Sequence, residues 1–273
     1  MSNPRYRQRP ELRVTSIPDA AAFVDDVGLC PFQGERAGLP TFYGAVAGRE
    51  GPTPRWGEAD RDYDRAWSWK DKLFSQGKVY YGKALGDFRI LISRRLLPCV
   101  CAACAPGATG AADDYLGLYE DGLLGHDAKQ LYEALLESGP ASTTRLRQAA
   151  RMRGRGDEWR RFEKALTELQ RAFLVAPVGI DRDNRWKYTF RYAPLHLAFP
   201  EESARAAELS SRAAMTHLLL HYVRLVGPVK LALPSRLFGW TVDRLEKVAR
   251  KLHAEGCLQV AGEGASAALK AAG

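Results

Sequence analysis

At 273 residues with 46% hydrophobic content, the chain is long enough for two or three domains and apolar enough for buried cores, which excludes disorder as the default. Lys and Arg number 40 against 32 Asp and Glu, giving a net charge of +8 and a pI near 9.3, so a polyanion is the first partner to test. No apolar run approaches the roughly 18 residues of a membrane span, no leader pattern opens the sequence, and the odd number of cysteines argues against a disulfide framework. A cytoplasmic protein with no membrane partner and no cofactor is expected.

Residues 1–18 carry Arg5, Arg7, Arg9 and Arg13 among prolines and read as a flexible basic arm, either a solvated tail or a DNA contact. Residues 19–104 read as an N-terminal α+β domain. Asp19 stands where a cap would open a short helix over Ala20 to Val27, which Gly28 and Pro31 close. Phe32 to Asp64 is rich in Gly and Pro and reads as a loop layer, with a short helix over Leu39 to Val46 behind Pro40. Trp67 to Lys72 fits a helix start or a strand. Lys78 to Lys83 and Phe88 to Ser93 read as strands joined through Gly86 and Asp87 into a hairpin. Ala and Gly then dominate, and residues 105–128 read as a connector.

The two segments that follow, 129–200 and 201–273, share one pattern. Leu131 to Ser138 is an amphipathic helix stopped at Gly139 and Pro140; Leu219 to Val226 has the same form and stops at Gly227 and Pro228. A short second helix comes next, Thr143 to Met152 in one copy and Leu231 to Phe238 in the other. A third runs from Trp159 to Leu169 and from Val242 to Leu252. Aligning Phe162 with Leu245 matches Glu163 and Lys164 to Glu246 and Lys247, and Leu169 to Leu252. The first copy continues into a full hairpin, Val175 to Ile180 and Trp186 to Tyr192 around a polar turn; the second shows only Cys257 to Val260, a reduced wing before a flexible tail. Three helices and a two-stranded wing make the winged-helix variant of the helix-turn-helix. The fold class expected is therefore α+β, mainly helical, with tandem winged-helix modules.

Charge falls where such a fold meets a duplex. Arg145, Arg147, Arg151, Arg153 and Arg155 populate the second helix and its turn, Arg160, Arg161 and Lys164 begin the third helix, and Arg182 and Arg185 tip the wing. Turn and wing would take phosphates and the third helix would enter the groove, which names double-stranded DNA as the partner. The competing reading is a protein-binding module with solvated arginines. The second copy carries Lys230, Arg236, Arg244, Lys247, Arg250 and Lys251, with structural packing and DNA contact both open.

With these residues in view, the chain resembles the AlkZ-type DNA glycosylases, proteins of tandem winged-helix units, over roughly Ala20 to Val260. The likeness is clearest in Phe162 to Tyr192 and Leu219 to Leu237, and weaker in Trp67 to Leu97. The resemblance implies a DNA-repair setting and hydrolysis of an N-glycosidic bond, with a Gln-x-Gln or Gln-x-Asp pair holding the attacking water. Here the matching segment is Phe23 to Val27: Asp26 falls on the second motif position, but Val24 replaces the first Gln and can neither donate nor accept a hydrogen bond. Asp26, with Asp25 beside it, is the candidate catalytic carboxylate; helix-end capping or ion pairing is the alternative for both. The family's C-terminal β-barrel has no counterpart in Ala261 to Gly273. A non-catalytic transcriptional regulator or damage sensor is the rival function.

Cys99, Cys101 and Cys104 lack a fourth ligand at finger-like spacing and read as small residues buried in a helix, so no metal is expected. Trp67, Trp69, Lys70 and Tyr81 interleave aromatics with a cation, either core packing or a candidate base pocket. His196, His217, His221 and His253 have no partners at catalytic spacing. No Walker loop, dinucleotide-binding glycine motif or nucleophile elbow is present.

Overall fold

Ser16 opens the first helix: its hydroxyl accepts the Asp19 backbone N–H at 3.3 Å, and Pro18 occupies the first turn, where its missing N–H leaves nothing unpaired. In the computed structural model, which describes residues 3–54, 58–105, 114–182 and 188–272 without the side chain of Arg182, this helix is α1 (Ile17–Val27). The cap is thus Ser16 rather than Asp19, whose carboxylate accepts the Thr15 N–H at 3.0 Å and pairs with Arg7. The chain continues as β1 (Leu29–Pro31), α2 (Phe42–Ala47), α3 (Arg61–Ser75), β2 (Val79–Gly82) and β3 (Ile90–Ser93). Trp67 to Lys72 lies inside α3, which Asp60 caps by accepting the Asp62 and Tyr63 N–H groups at 2.8 and 2.9 Å.

After α4 (Leu97–Cys104) and α5 (Asp114–Glu120), a second series runs α6 (His126–Ser138), β4 (Ala141–Ser142), α7 (Thr143–Ala149), α8 (Asp157–Arg171), β5 (Val175–Arg182) and β6 (Tyr188–Pro194). Past α9 (Leu195–Ala198) and α10 (Pro200–Glu208) comes a third: α11 (Ser211–Val226), β7 (Val229–Lys230), α12 (Ala232–Phe238), α13 (Val242–Ala254), β8 (Leu258–Ala261) and β9 (Ala268–Ala271).

The three series have one topology. Each is helix, short strand, two helices and a hairpin, and each antiparallel sheet places the last strand between the other two: β1-β3-β2, β4-β6-β5 and β7-β9-β8. The first series, read from sequence as a loop-rich α+β layer, is therefore a third copy of the repeated unit. Its first strand is three residues long and contains Pro31, which an edge strand tolerates because one row of its N–H groups needs no partner. The expected tail after Val260 likewise forms β9, which pairs with β8 in the register Val260↔Leu269. Leu258, Ala267 and Leu269 are buried; with small and polar residues between them, the strand alternation is faint in the sequence.

Burial follows helical spacing. Phe162, Ala165, Leu166 and Leu169 of α8 are buried, and Leu245, Val248, Ala249 and Leu252 of α13 repeat the spacing, which supports the alignment of the two helices. The middle unit has its own core around Leu131, Tyr132, Phe162 and Leu169. The outer two share a continuous core with α4, sealed by the Trp240 Nε1–H donated to the Ala103 carbonyl at 3.0 Å and by the Tyr222 hydroxyl donated to the Ala37 carbonyl at 2.6 Å. Cys101 is buried within α4, where loss of solvent pushes its thiol well above the ordinary range. The basic arm is docked from Asn3 onward: Asn3 Nδ2 donates to the Leu225 carbonyl at 2.8 Å, and Tyr6 to the Gly38 carbonyl at 2.7 Å. Of the expected connector, residues 106–113 lie outside the described residues, and α5 and the start of α6 occupy much of the remainder.

Where the outer units meet, Gly28 has φ +74°, and a Cβ there would sit 2.7 Å from His221 Nε2 and 2.9 Å from Leu96 Cδ2. His221 is held in place, its Nε2 lying 2.9 Å from the Val27 carbonyl oxygen. Positive φ and overpacking together give an expected loss of about 3 kcal/mol for Gly28→Ala. In thermal unfolding this lowers Tm by about 10 °C; an unchanged Tm would mean that His221 can step aside freely.

Candidate nucleic-acid surface and junction cavity

Arg145, Arg151, Arg153 and Arg155 follow one another along α7 and the turn into α8, all exposed, and none has an ion-pair partner among the described residues. The turn is built for close approach, with Arg151 at φ 56° and Gly156 at φ 67° ahead of the first residue of α8. Arg147 serves the turn itself: it donates to the Gly154 carbonyl and lies 4.8 Å over the Trp159 ring.

Arg160, Arg161 and Lys164, also expected to meet phosphates, are already engaged. Arg161 makes two hydrogen bonds to Asp127, at 2.8 and 2.5 Å, which hold that carboxyl below its usual range. Arg160 pairs with Asp157 at 3.4 Å and Lys164 with Glu168 at 3.9 Å. The side chain of Arg182 and all of Arg185 lie outside the described residues. In the third unit, Arg250 pairs with Glu246 and Lys251 with Glu255, while Lys230, Arg236 and Lys247 are exposed.

Asp25 and Asp26 sit on the exposed side of α1. Asp26 takes Arg5 through both carboxylate oxygens, at 3.1 and 3.2 Å, and Asp25 lies 3.8 Å from Arg95. Val24, in the motif position, is fully buried. Neither carboxylate lines any of the three cavities described below.

Of the candidate base pocket, the structure gathers Trp67, Lys70 and Tyr81 and separates Trp69, which takes Arg65 on its ring. Lys70 is fully buried, its Nζ 3.7 Å from the Trp67 ring centre and within 5.6 Å of the Phe32, Tyr81 and Tyr188 rings. The ammonium bonds Asp71 at 2.5 Å and the Tyr188 hydroxyl at 3.0 Å, and that hydroxyl donates to Asp71 at 2.6 Å. Burial lowers the Lys70 pKa to about 8 against the opposing pull of Asp71. The aromatic cage is thus filled from within, and Phe32 and Tyr188 are members that sequence proximity could not supply.

Three cavities adjoin these elements. One, of about 920 Å³, lies between the N-terminal arm and the end of α11, with Tyr6, Tyr43, Glu35, Glu50 and Arg224 in its walls. A second, of about 530 Å³, lies against Asp71 and Tyr188. A third, of about 140 Å³, lies at the junction of the first and second units between the β2–β3 hairpin, α8 and β6. Its walls include Arg89, whose Nη1 is buried without a hydrogen-bond partner, and Glu163. An unsatisfied buried donor costs about 1–3 kcal/mol, more when charged. Nothing in the sequence marks either residue as functional: Glu163 looks like any solvated helix carboxylate until the first unit docks beside it.

Helix-and-hairpin units in series, with free arginines gathered on one inter-helix turn, define a repeated α+β architecture that presents a cationic edge. The chain belongs to the AlkZ-related family, whose model matches residues 14–239. Among solved structures it is similar to the DNA glycosylase AlkZ of Streptomyces sahachiroi, with a TM-score of 0.55 and 12% identity over 99% of this chain and 70% of that one, a likeness of fold. No curated protein is significantly similar to it in sequence. No helix among the described residues is long and apolar enough to cross a membrane.

Proposed function

We propose that this is a cytoplasmic double-stranded DNA-binding protein of a DNA-repair setting, in which each repeated unit is a winged helix. The modules at 129–200 and 201–273 are joined by a third within 19–104. The observation that carries the reading is the run of exposed arginines, without ion-pair partners among the described residues, on α7 and the turn into α8, where a helix-turn-helix meets phosphates. Membership of the AlkZ-related family and the fold shared with a DNA glycosylase support the repair setting.

Two functions share that surface. As an alkylpurine DNA glycosylase, the protein would release base from DNA containing 7-methylguanine, with Asp26 as the carboxylate acting on water. As a damage sensor or regulator, it would bind without release. The exposed ion pairs of Asp26 with Arg5 and of Asp25 with Arg95 favour the second, because a carboxylate held by a guanidinium at the surface is a poor base toward water. Incubation with 7-methylguanine duplex at enzyme excess decides between them: retained binding with no free base and no abasic sites is expected, and base release abolished by Asp26→Asn would reverse the choice. Absence of any salt-dependent duplex affinity would remove both.

A further inference from the structure

We propose that the cavity between the first and second units captures a single unpaired nucleobase, guanine above the others, with Arg89 and Glu163 bonding different parts of its edge. The inference rests on the reading of the protein as a duplex-DNA binder and adds to it a site for one base.

The cavity's 140 Å³ is the room of a few waters, at about 30 Å³ each, and suits one flat ring system rather than a length of strand. Arg89 enters from the first unit just ahead of β3, Trp159 and Glu163 from α8, and Phe190 and Tyr192 from β6. Gln170 fastens the wall: its Oε1 accepts the Lys83 N–H at 2.9 Å, and its Nε2 donates to the Leu166 carbonyl at 3.1 Å. Those bonds fix the first unit's hairpin against α8, so the space is preformed.

Glu163 has no hydrogen-bond or ion-pair partner among the described residues. It stands near enough to Arg89 to act on it electrostatically, yet the two form no ion pair. Opposite charges that border one space without closing on each other leave the unpartnered Arg89 Nη1 as a donor, the guanidinium being otherwise bonded to Tyr192, and the Glu163 carboxylate as an acceptor pair, since a guanidinium only donates and a carboxylate only accepts. Guanine answers both at once: O6 accepts from Nη1, while the neighbouring N1–H and N2 amino group donate side by side to the carboxylate. Adenine and cytosine offer a carboxylate one amino group, and thymine one N–H. Trp159 supplies an apolar ring for stacking, and Phe190, whose ring carries the Arg89 guanidinium at 4.9 Å, closes the wall beside it.

The location admits a base from a bound duplex. Trp159 is 43% exposed on the first turn of α8, close in sequence to the exposed Arg155 and Arg160, so the cavity adjoins the cationic turn. Arg147 backs the Trp159 ring and keeps it in place. A base leaving the stack is least costly when it has no partner on the opposite strand.

The test is a set of anisotropy titrations of the full chain against four labelled duplexes, alike except for one extrahelical guanine, adenine, thymine or none. The guanine bulge is expected to bind about tenfold more tightly than the thymine bulge or the paired duplex. Glu163→Gln collapses the guanine-to-thymine ratio toward one, because an amide cannot accept two N–H groups in parallel. Trp159→Ala, a surface change, weakens all three bulges alike. Salt-dependent binding with equal affinity for all four duplexes overturns base capture and leaves duplex binding standing, as does a guanine preference that survives in Glu163→Gln. No binding to any duplex overturns the duplex reading and the capture site with it.

Discussion

Replacing Arg145, Arg151, Arg153 and Arg155 together by serine lowers affinity for duplex DNA roughly four-thousandfold at about 0.1 M salt, and flattens the slope of log K against log salt by about 3.6. Each phosphate that a cation neutralises releases condensed counterion and contributes about 0.9 to that slope, so four contacts account for both figures. These four are the arginines to remove because they are exposed and pair with no carboxylate among the described residues that DNA would have to displace. Arg161 differs: its guanidinium must leave Asp127, two hydrogen bonds away, before it meets a phosphate. Arg161→Ser is expected to change the slope by well under the roughly 0.9 of one full phosphate contact, even though sequence position alone ranks it beside the four. A quadruple variant that keeps the wild-type slope would place the DNA elsewhere on the protein or remove it.

That contrast shows what the sequence could carry. The spacing of Phe162, Ala165, Leu166 and Leu169 is local, so α8 and its match to α13 were legible, as was the hairpin of β2 and β3. The first unit was not, because its edge strand is three residues long and separated from α2 by a Gly- and Pro-rich loop. Topology, not periodicity, makes it a copy of the others. Charges were legible as types and positions, whereas their pairing was not: Asp127 and Arg161 stand 34 residues apart and meet only after α6 packs on α8. The same limit hid that Arg89 and Glu163 border one cavity across the unit junction. It also hid that the aromatic cage around Trp67 is filled by the protein's own lysine.

Lys70 makes the stability of the chain rise with pH in a window where its other buried groups do not. Its folded-state pKa of about 8 lies below the 10.5 of a free lysine because the ammonium is buried, so between those values the unfolded chain holds a proton that the folded chain has released. Unfolding then takes up a proton, and raising the pH favours the folded state. The full difference, some two and a half decades in the protonation equilibrium, is worth about 3 kcal/mol. Tyr6, whose phenol burial pushes up to about 12, acts in the opposite sense above pH 10, since the unfolded chain ionises first. The quantity to measure is therefore the difference in unfolding free energy between wild type and Lys70→Met, which cancels the tyrosines. It is expected to be level below pH 8, to move in favour of wild type from there, and to level off near pH 10.5. Below pH 8 the cage holds a cation, bound by Asp71 and faced by four rings, and so has no vacancy for a cationic ligand. A difference that stays flat through pH 9 would mean that the rings and Asp71 compensate the ammonium fully for the water it gave up.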